Sequence, residues 1–298
     1  MKDLSQKIEK EVEYWNKRAD SGIIPDIRRQ TKDKEVYFIW DDPKIEEILR
    51  GQERKFIIEQ TSKNKRGKVL EIGCGVGWLS LELARHGMNV TGVDLSDRKI
   101  SIAKEYYERI KVEEGFTGKI EYIADSIHNV DFEDSTFDAV VAWDSLHHIP
   151  DISRVMRKLR CWLKENGELI ICDYMGNNPF NRLAVVMIYV LPIIDKGKLF
   201  KKIMKKIAKE EDFKKAPLEG ITGWEILREI RMNFEVHEAK TTIAFCYYVA
   251  PFLFFQGDTM YRWTEFFKRL DDAMVRLHFL RGEYIFVWAT NKKRRDYV

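Results

Sequence analysis

Cysteine is scarce in this sequence, proline is scarce, and no apolar run is long. The four cysteines, Cys74, Cys161, Cys172 and Cys246, make no CxxC pair and no ligand spacing with histidines. Neither a disulfide framework nor a structural metal site is expected, and they read as reduced thiols of a cytoplasmic protein, with Cys172 in the core. No stretch reaches the roughly 18 apolar residues that a membrane-spanning helix needs. The opening MKDLSQKIEKEVEYW lacks the apolar segment of a signal peptide. An excess of one charge is missing too: 51 Lys and Arg face 48 Asp and Glu. That balance is not the basic footprint of a nucleic-acid binder. Internal repeats and low-complexity linkers are absent, so no repeat architecture is expected.

What is present is enough apolar material for a core, with 45% hydrophobic and 33% charged residues in 298. One large domain with insertions, or two modest ones, fits that length. From about residue 52 to 175, strand-like and helix-like segments alternate. KVLEI (68–72), NVTGVDL (89–95), 120–124, FDAVVA (137–142) and ELIICDY (168–174) read as strands. Residues 78–85, 97–112 and 152–163 read as helices, the last capped by Asp151. Such alternation predicts a parallel sheet with helices on both faces. After 175 the pattern changes. A helix over 224–231, capped by Thr222, and strands over 236–243 and 283–290 read as the end of the same sheet. Residues 1–50 read as an N-terminal extension, helical over 4–18.

The run VLEIGCGVG (69–77) joins a strand to a helix through glycines. Gly73 and Gly75 let the backbone turn tightly and approach a ligand where a Cβ would collide. A turn with convenient glycines and no ligand is the plainer reading. The spacing is GxGxG, and Trp78 stands where a dinucleotide fold wants its third glycine, which counts against a nicotinamide or flavin dinucleotide. Asp94 ends the second strand about 20 residues beyond the loop, where a carboxylate accepts from both hydroxyls of a ribose. Asp125 ends the third strand, where a carboxylate accepts from an adenine amine.

Taken in order, VLEIGCGVG, VTGVDLS, YIADS and FEDSTFDAVVAWDSLHHIPD resemble the class I methyltransferases, in particular the group related to ubiquinone and menaquinone methyltransferases (type 11). The resemblance covers roughly residues 66–175, and the N-terminal YWNKRA resembles a helix that lids the cofactor in that group. It implies a Rossmann-like, doubly wound α/β fold with a seven-stranded mixed sheet, its last strand antiparallel. The implied divisions are a helical extension or lid at 1–50 and a methyltransferase domain at 51–298, with helical insertions at about 176–220 and 245–280. The implied cofactor is S-adenosylmethionine, leaving as S-adenosylhomocysteine. Gly73, Cys74, Gly75 and Gly77 then line its methionine part, Asp94 holds the ribose, and Leu95 packs on the adenine. Asp125 meets the adenine amine beside Ser126. Trp143, where smaller residues are usual, sits near the sulfonium through its backbone. Tyr14 is a candidate for the cofactor carboxylate or for closing the pocket.

A methyl carbon on a sulfonium is already activated, so the protein must chiefly align the acceptor and exclude water. A base is needed only when the acceptor rests as a hydroxyl or an ammonium. Asp144, His147 and His148 follow the fourth strand and are the candidates; His147 has the right intrinsic pKa. Structural roles are the alternative for all three. LAVVMIYVLPII (183–194) is too short to span a bilayer and precedes a Lys-rich helical stretch at 196–209. That is the pattern of a helix lying on a membrane, or of one covering the active site with a solvated lysine face. Ten aromatic residues between Phe245 and Phe267 either build core or wall an apolar acceptor pocket. The expected acceptor is a small-molecule or lipid-like, partly apolar compound. Two other readings stay open. One is a tRNA or rRNA methyltransferase using the basic runs 196–215 and 292–295, though no Asn-Pro-Pro-aromatic signature is present. The other is a nucleotide-cofactor oxidoreductase.

Overall fold

The computed structural model describes residues 2–19, 25–29, 42–63, 67–176, 178–201, 216–218 and 220–291. Among these, seven strands form one sheet: β1 (Lys68–Ile72), β2 (Asn89–Asp94), β3 (Lys119–Ala124), β4 (Phe137–Trp143), β5 (Leu163–Tyr174), β6 (Phe234–Thr242) and β7 (Tyr284–Asn291). Their order is β3-β2-β1-β4-β5-β7-β6. Neighbours from β3 to β5 run parallel, and β7 runs antiparallel to both β5 and β6. The expected mixed sheet with one antiparallel strand is the observed one.

The core sits on both faces because the strands are apolar throughout. On β1, Leu70 and Ile72 enter one buried cluster with Val140, Ile171 and the helix residues Val155 and Leu159. Val69, between them, enters the opposite cluster with Leu79, Leu83, Val141 and Ile57. Alternate residues of a strand point to opposite faces, so a continuous apolar run feeds two cores. The helices present matching stripes. In α5 (Ile152–Trp162), Ile152, Val155, Met156 and Leu159 are buried at helical spacing, and Asp151 caps the helix by accepting from the Arg154 N–H. Helices α3 (Trp78–Arg85) and α4 (Asp97–Glu114) follow β1 and β2. Helix α7 (Gly223–Asn233) starts at a capping box of Thr222 and Glu225.

One helix departs from the sequence reading. Helix α2 (Pro43–Thr61) starts at Asp42, with a proline in its first turn, and runs through position 50, where the extension was expected to end. It buries Ile45, Leu49, Arg50 and Ile57 against the sheet and the later elements. Strand β5 is also longer than expected, because its pairing with β4 begins at Leu163 and resumes after an irregularity at Glu168.

Helix α1 (Lys2–Ala19) lies against α4. Over the carboxyl end of β5 and the amino end of β7, where Tyr174 pairs with Tyr284, a further apolar cluster joins Leu49 of α2, Val185 of α6 (Pro179–Tyr189), Phe245, Phe252 and Phe267 of α8 (Gly257–Arg276). Seven of the ten aromatic residues between Phe245 and Phe267 therefore build a cap over that edge of the sheet.

Candidate active site

The glycine loop is fixed from below. The N–H groups of Gly73 and Cys74 both donate to the Val93 carbonyl of β2, at 2.8 and 3.1 Å. Gly73, Gly75 and Gly77 have φ of 67°, 54° and 85°, a region that side chains with a Cβ avoid. A Cβ on Gly73 would lie 2.3 Å from Cβ of Ser145, and one on Gly77 would lie 2.2 Å from the Tyr122 hydroxyl. Cys74 turns its side chain into a buried cluster with Leu81, Ala103 and Tyr122, so only its backbone belongs to the loop.

The acid at the end of β2 is tied to that loop. Asp94 accepts the Gly75 N–H through Oδ2 at 2.8 Å and the Ser96 N–H through Oδ1 at 2.9 Å. Ser96, not Asp94, caps α4, accepting from the Lys99 N–H. Each carboxylate oxygen of Asp94 keeps a lone pair for a further donor, which suits the two hydroxyls of a ribose. Asp125, at the end of β3, accepts from the Ser126 N–H and from Asn129 Nδ2, both at Oδ1.

Beneath the loop, Glu71 of β1 is fully enclosed and accepts from the Ser80 hydroxyl. Burial pushes its carboxyl from the ordinary 4.5 up to about 8, against the pull of Ser80. The folded state therefore holds a proton that the unfolded chain releases. That contribution to stability is whole below about pH 4.5 and is lost as pH rises to about 8. Glu71→Gln keeps the neutral shape and is expected to flatten the decline in urea midpoint across that window. An unchanged slope in the variant would mean that Glu71 is ionised in the fold.

Gly73, Asp94, Leu95, Asp125, Ser126 and Asp144 border one cleft, with Ile127, Ser145 and His148. Helix α1 covers it. Trp15 reaches into the cleft, with the Lys99 ammonium 3.7 Å from its ring centre, and Asn16 bonds to Asp97 and Ser96 of α4. Glu11 is buried and ties the lid down. It accepts from Trp15 Nε1 at 2.7 Å and from the Leu218 N–H at 2.9 Å, and lies 3.2 Å from His148 Nδ1. Burial works to raise the Glu11 carboxyl, but His148, the Leu218 N–H and Trp15 together hold it below its ordinary value. Tyr14 does not border the cleft; its hydroxyl accepts from Arg18.

At the inner end, Asp144 has a φ of 49° and receives both Nη groups of Arg50, at 2.5 and 3.1 Å. Arg50 is 2% exposed, lies 4.1 Å from the Trp143 ring centre and 4.5 Å from that of Tyr284, and donates to Cys172 Sγ. The Trp143 side chain thus lies on the far face of the sheet, against Arg50 and Trp78, and does not border the cleft. Glu46, also on α2, is enclosed beside this cluster; burial raises its carboxyl to about 7, against Arg50 and Arg54. His147 does not border the cleft either. Its Nδ1 lies 2.5 Å from Oδ1 of the enclosed Asp173, whose Oδ2 accepts the N–H groups of Ser145 and Leu146. Burial works to raise the Asp173 carboxyl, and His147 and the backbone donors outweigh it, so it lies below its ordinary value. Asp173 holds the turn after β4 in one shape.

Glu11, Arg50 and Asp173 are not singled out by the sequence reading, and Trp15 enters it only within the YWNKRA segment. Glu11 and Trp15 stand four apart on one helix, so they share a face. Arg50 and Asp173 carry no local signal. Among the described residues no cluster of His, Cys, Asp and Glu has metal-binding geometry. No described helix is long and apolar enough to cross a membrane. The basic runs expected at 196–215 and 292–295 lie largely outside the described residues.

Residues 70–171 match the family model of a methyltransferase domain. The sterol 4-C-methyltransferase strm-1 of Caenorhabditis elegans is 29% identical over 143 residues, 48% of this chain and 41% of that protein. The ubiquinone biosynthesis O-methyltransferase of Coxiella burnetii is 32% identical over 141 residues, 47% of this chain and 58% of that protein. The chain thus spans about half the length of the curated relatives it matches. Among solved structures, the cyclase SpnF superposes with a TM-score of 0.50 at 16% identity, covering 81% of this chain and 80% of that one. Phosphoethanolamine N-methyltransferase 2 of Haemonchus contortus, in complex with phosphomonomethylethanolamine and S-adenosylhomocysteine, gives 0.50 at 18%, covering 81% and 53%. These two likenesses show a shared fold. The sheet order is Rossmann-like, and residues 70–171 within it resemble the class I, S-adenosylmethionine-dependent methyltransferase domain.

Proposed function

We propose that the chain transfers the methyl group of S-adenosylmethionine to a small-molecule, partly apolar or lipid-like acceptor by in-line attack. The observation that carries this is the pair of carboxylates, Asp94 and Asp125, on successive strand ends facing one cleft, the first bonded to the glycine loop. Gly73, Gly75 and Gly77 take the methionine part, Asp94 the ribose, and Leu95 and Ile127 the faces of the adenine. Asp125, with Ser126, takes the adenine amine. The bound cofactor supplies a methyl carbon activated by its sulfonium. Helix α1, held by Glu11, keeps water from the cleft, and orientation within such a site contributes several kcal/mol to the rate (about 7–11 at best). The relatives named for a sterol and for ubiquinone biosynthesis support the acceptor class. The aromatic cap over β5 and β7 stands on the acceptor side of Asp144. A lipid-like acceptor is met at a membrane, and peripheral contact through residues 183–209 belongs to this reading.

His147 is the proposed base for an acceptor that must lose a proton; it lies outside the cofactor cleft, its ring 5.9 Å from that of Tyr174 on the proposed acceptor side, with Asp173 orienting it. Asp144 has both oxygens engaged by Arg50, which suits positioning better than proton transfer. His147→Ala is expected to lower turnover by roughly 100-fold with cofactor affinity unchanged. Full turnover by the variant would remove His147 from the mechanism. The test of the whole reading is incubation with methyl-labelled cofactor and lipid and metabolite extracts. Label in an extractable apolar product supports it; failure to bind the cofactor defeats it.

A further inference from the structure

Helix α6 is apolar apart from Asn181 and the exposed Arg182. One face is spent on the fold: Asn181 and Val185 are buried, Asn181 Nδ2 donates to the Arg281 carbonyl, and the Tyr189 hydroxyl donates to the Tyr248 carbonyl. The other face is bare. Phe180, Leu183, Val186, Met187 and Val190 are 72, 60, 58, 64 and 74% exposed, at helical spacing. Phe200 and Phe254 are exposed by 63 and 66%, and Phe254 is held to the end of this segment by its N–H bond to Ile193. A soluble surface scatters such residues, and a contiguous patch of them marks a contact.

The charge beside the patch says what kind. From Lys196 to Lys209 the sequence holds seven lysines and no acid. Lys196 donates to the Tyr189 and Leu191 carbonyls at the end of α6, so the basic run starts at the rim of the apolar face. A two-fold dimer through this face would bring Lys196, Lys198 and Lys201 of both copies together, which repels. An anionic lipid surface takes both parts, the apolar face in the acyl boundary and the lysines at the headgroups.

We infer that the outer face of α6, with Phe200 and Phe254, docks the protein on anionic lipid bilayers without crossing them. The inference rests on the lipid-like acceptor for its purpose. The bonds from Asn181 to Glu283, and from Tyr189 to Tyr248, anchor the docking helix to the sheet edge that carries Tyr174 and Tyr284. That edge is the proposed acceptor side.

The test is sedimentation of the full chain with vesicles of phosphatidylcholine alone and of phosphatidylcholine with phosphatidylglycerol. Binding to the anionic vesicles is expected, weakening as salt is raised. The double variant Leu183→Glu, Met187→Glu changes only exposed positions. It is expected to keep the thermal midpoint and cofactor affinity and to lose vesicle binding by at least about tenfold. No binding by the wild type, or equal binding by the variant, overturns the inference. So does a concentration-dependent dimer, abolished by the variant, in a protein that ignores vesicles. Cofactor affinity is measured separately, so docking without cofactor binding would defeat the methyl-transfer reading and leave the docking standing.

Discussion

Asp94→Ala weakens S-adenosylmethionine binding by roughly a thousandfold, with the fold retained. A hydrogen bond to a charged group contributes about 1.5–3 kcal/mol, and a ribose offers Asp94 two. The same carboxylate bonds the N–H groups of Gly75 and Ser96. Its loss therefore also frees the glycine loop from β2 on the side that faces the cofactor. The loop keeps its bonds from Gly73 and Cys74 to Val93, so the thermal midpoint is expected to fall far less than the affinity. Calorimetric titration of both proteins measures it. Asp94→Asn, which keeps the shape and one acceptor, is expected to fall between them. Equal affinity in the alanine variant would place the ribose elsewhere.

Arg50→Ala is expected to destabilise the fold by about 3–5 kcal/mol, the cost of breaking an enclosed ion pair by removing one partner. The guanidinium is 2% exposed and is shared among Asp144, Cys172 and the rings of Trp143 and Tyr284. Its removal leaves a cavity, an unpaired Asp144 and a Glu46 without the larger of its two balancing charges. Asp144 sits at a φ of 49°, so its backbone relies on that pairing to stay in place. The next residue, Ser145, donates to the Ile72 carbonyl and abuts Gly73. Arg50→Lys cannot make the two-pronged contact and is expected to recover only part of the loss. Denaturant unfolding of the three proteins reads this out. A loss under about 1 kcal/mol in the alanine variant would mean that the pair is solvated like a surface bridge.

The parts of this fold legible from the sequence are those written in short-range pattern. Strands β1 to β5 stand out as apolar runs because both faces of each are covered. The starts of α5 and α7 are marked by Asp151 and Thr222. Asp94 and Asp125 are legible because a strand end is also a place in the fold. What escaped the sequence depends on which way a side chain points. Tyr14 and Trp15 are one residue apart, about 100° around a helix, and it is Trp15 that enters the cleft. Trp143 and Asp144 are neighbours at the end of β4; the first side chain lies behind the sheet and the second faces the cleft. His147 and His148 sit in one turn, where the first meets Asp173 and the second Glu11. Arg50 lies 94 residues before Asp144. Only the packing of α2 brings them together, and within its own helix Arg50 reads like any solvated base.

The central claim is that this cleft holds S-adenosylmethionine, and one titration tests it most directly. S-adenosylhomocysteine is added to the purified chain in a calorimeter, with NAD as the comparison. Saturable binding of one equivalent at about micromolar affinity is expected, competed by S-adenosylmethionine and lost in Asp94→Ala, with no heat from NAD. Binding of NAD in place of S-adenosylhomocysteine, or of neither, would contradict it.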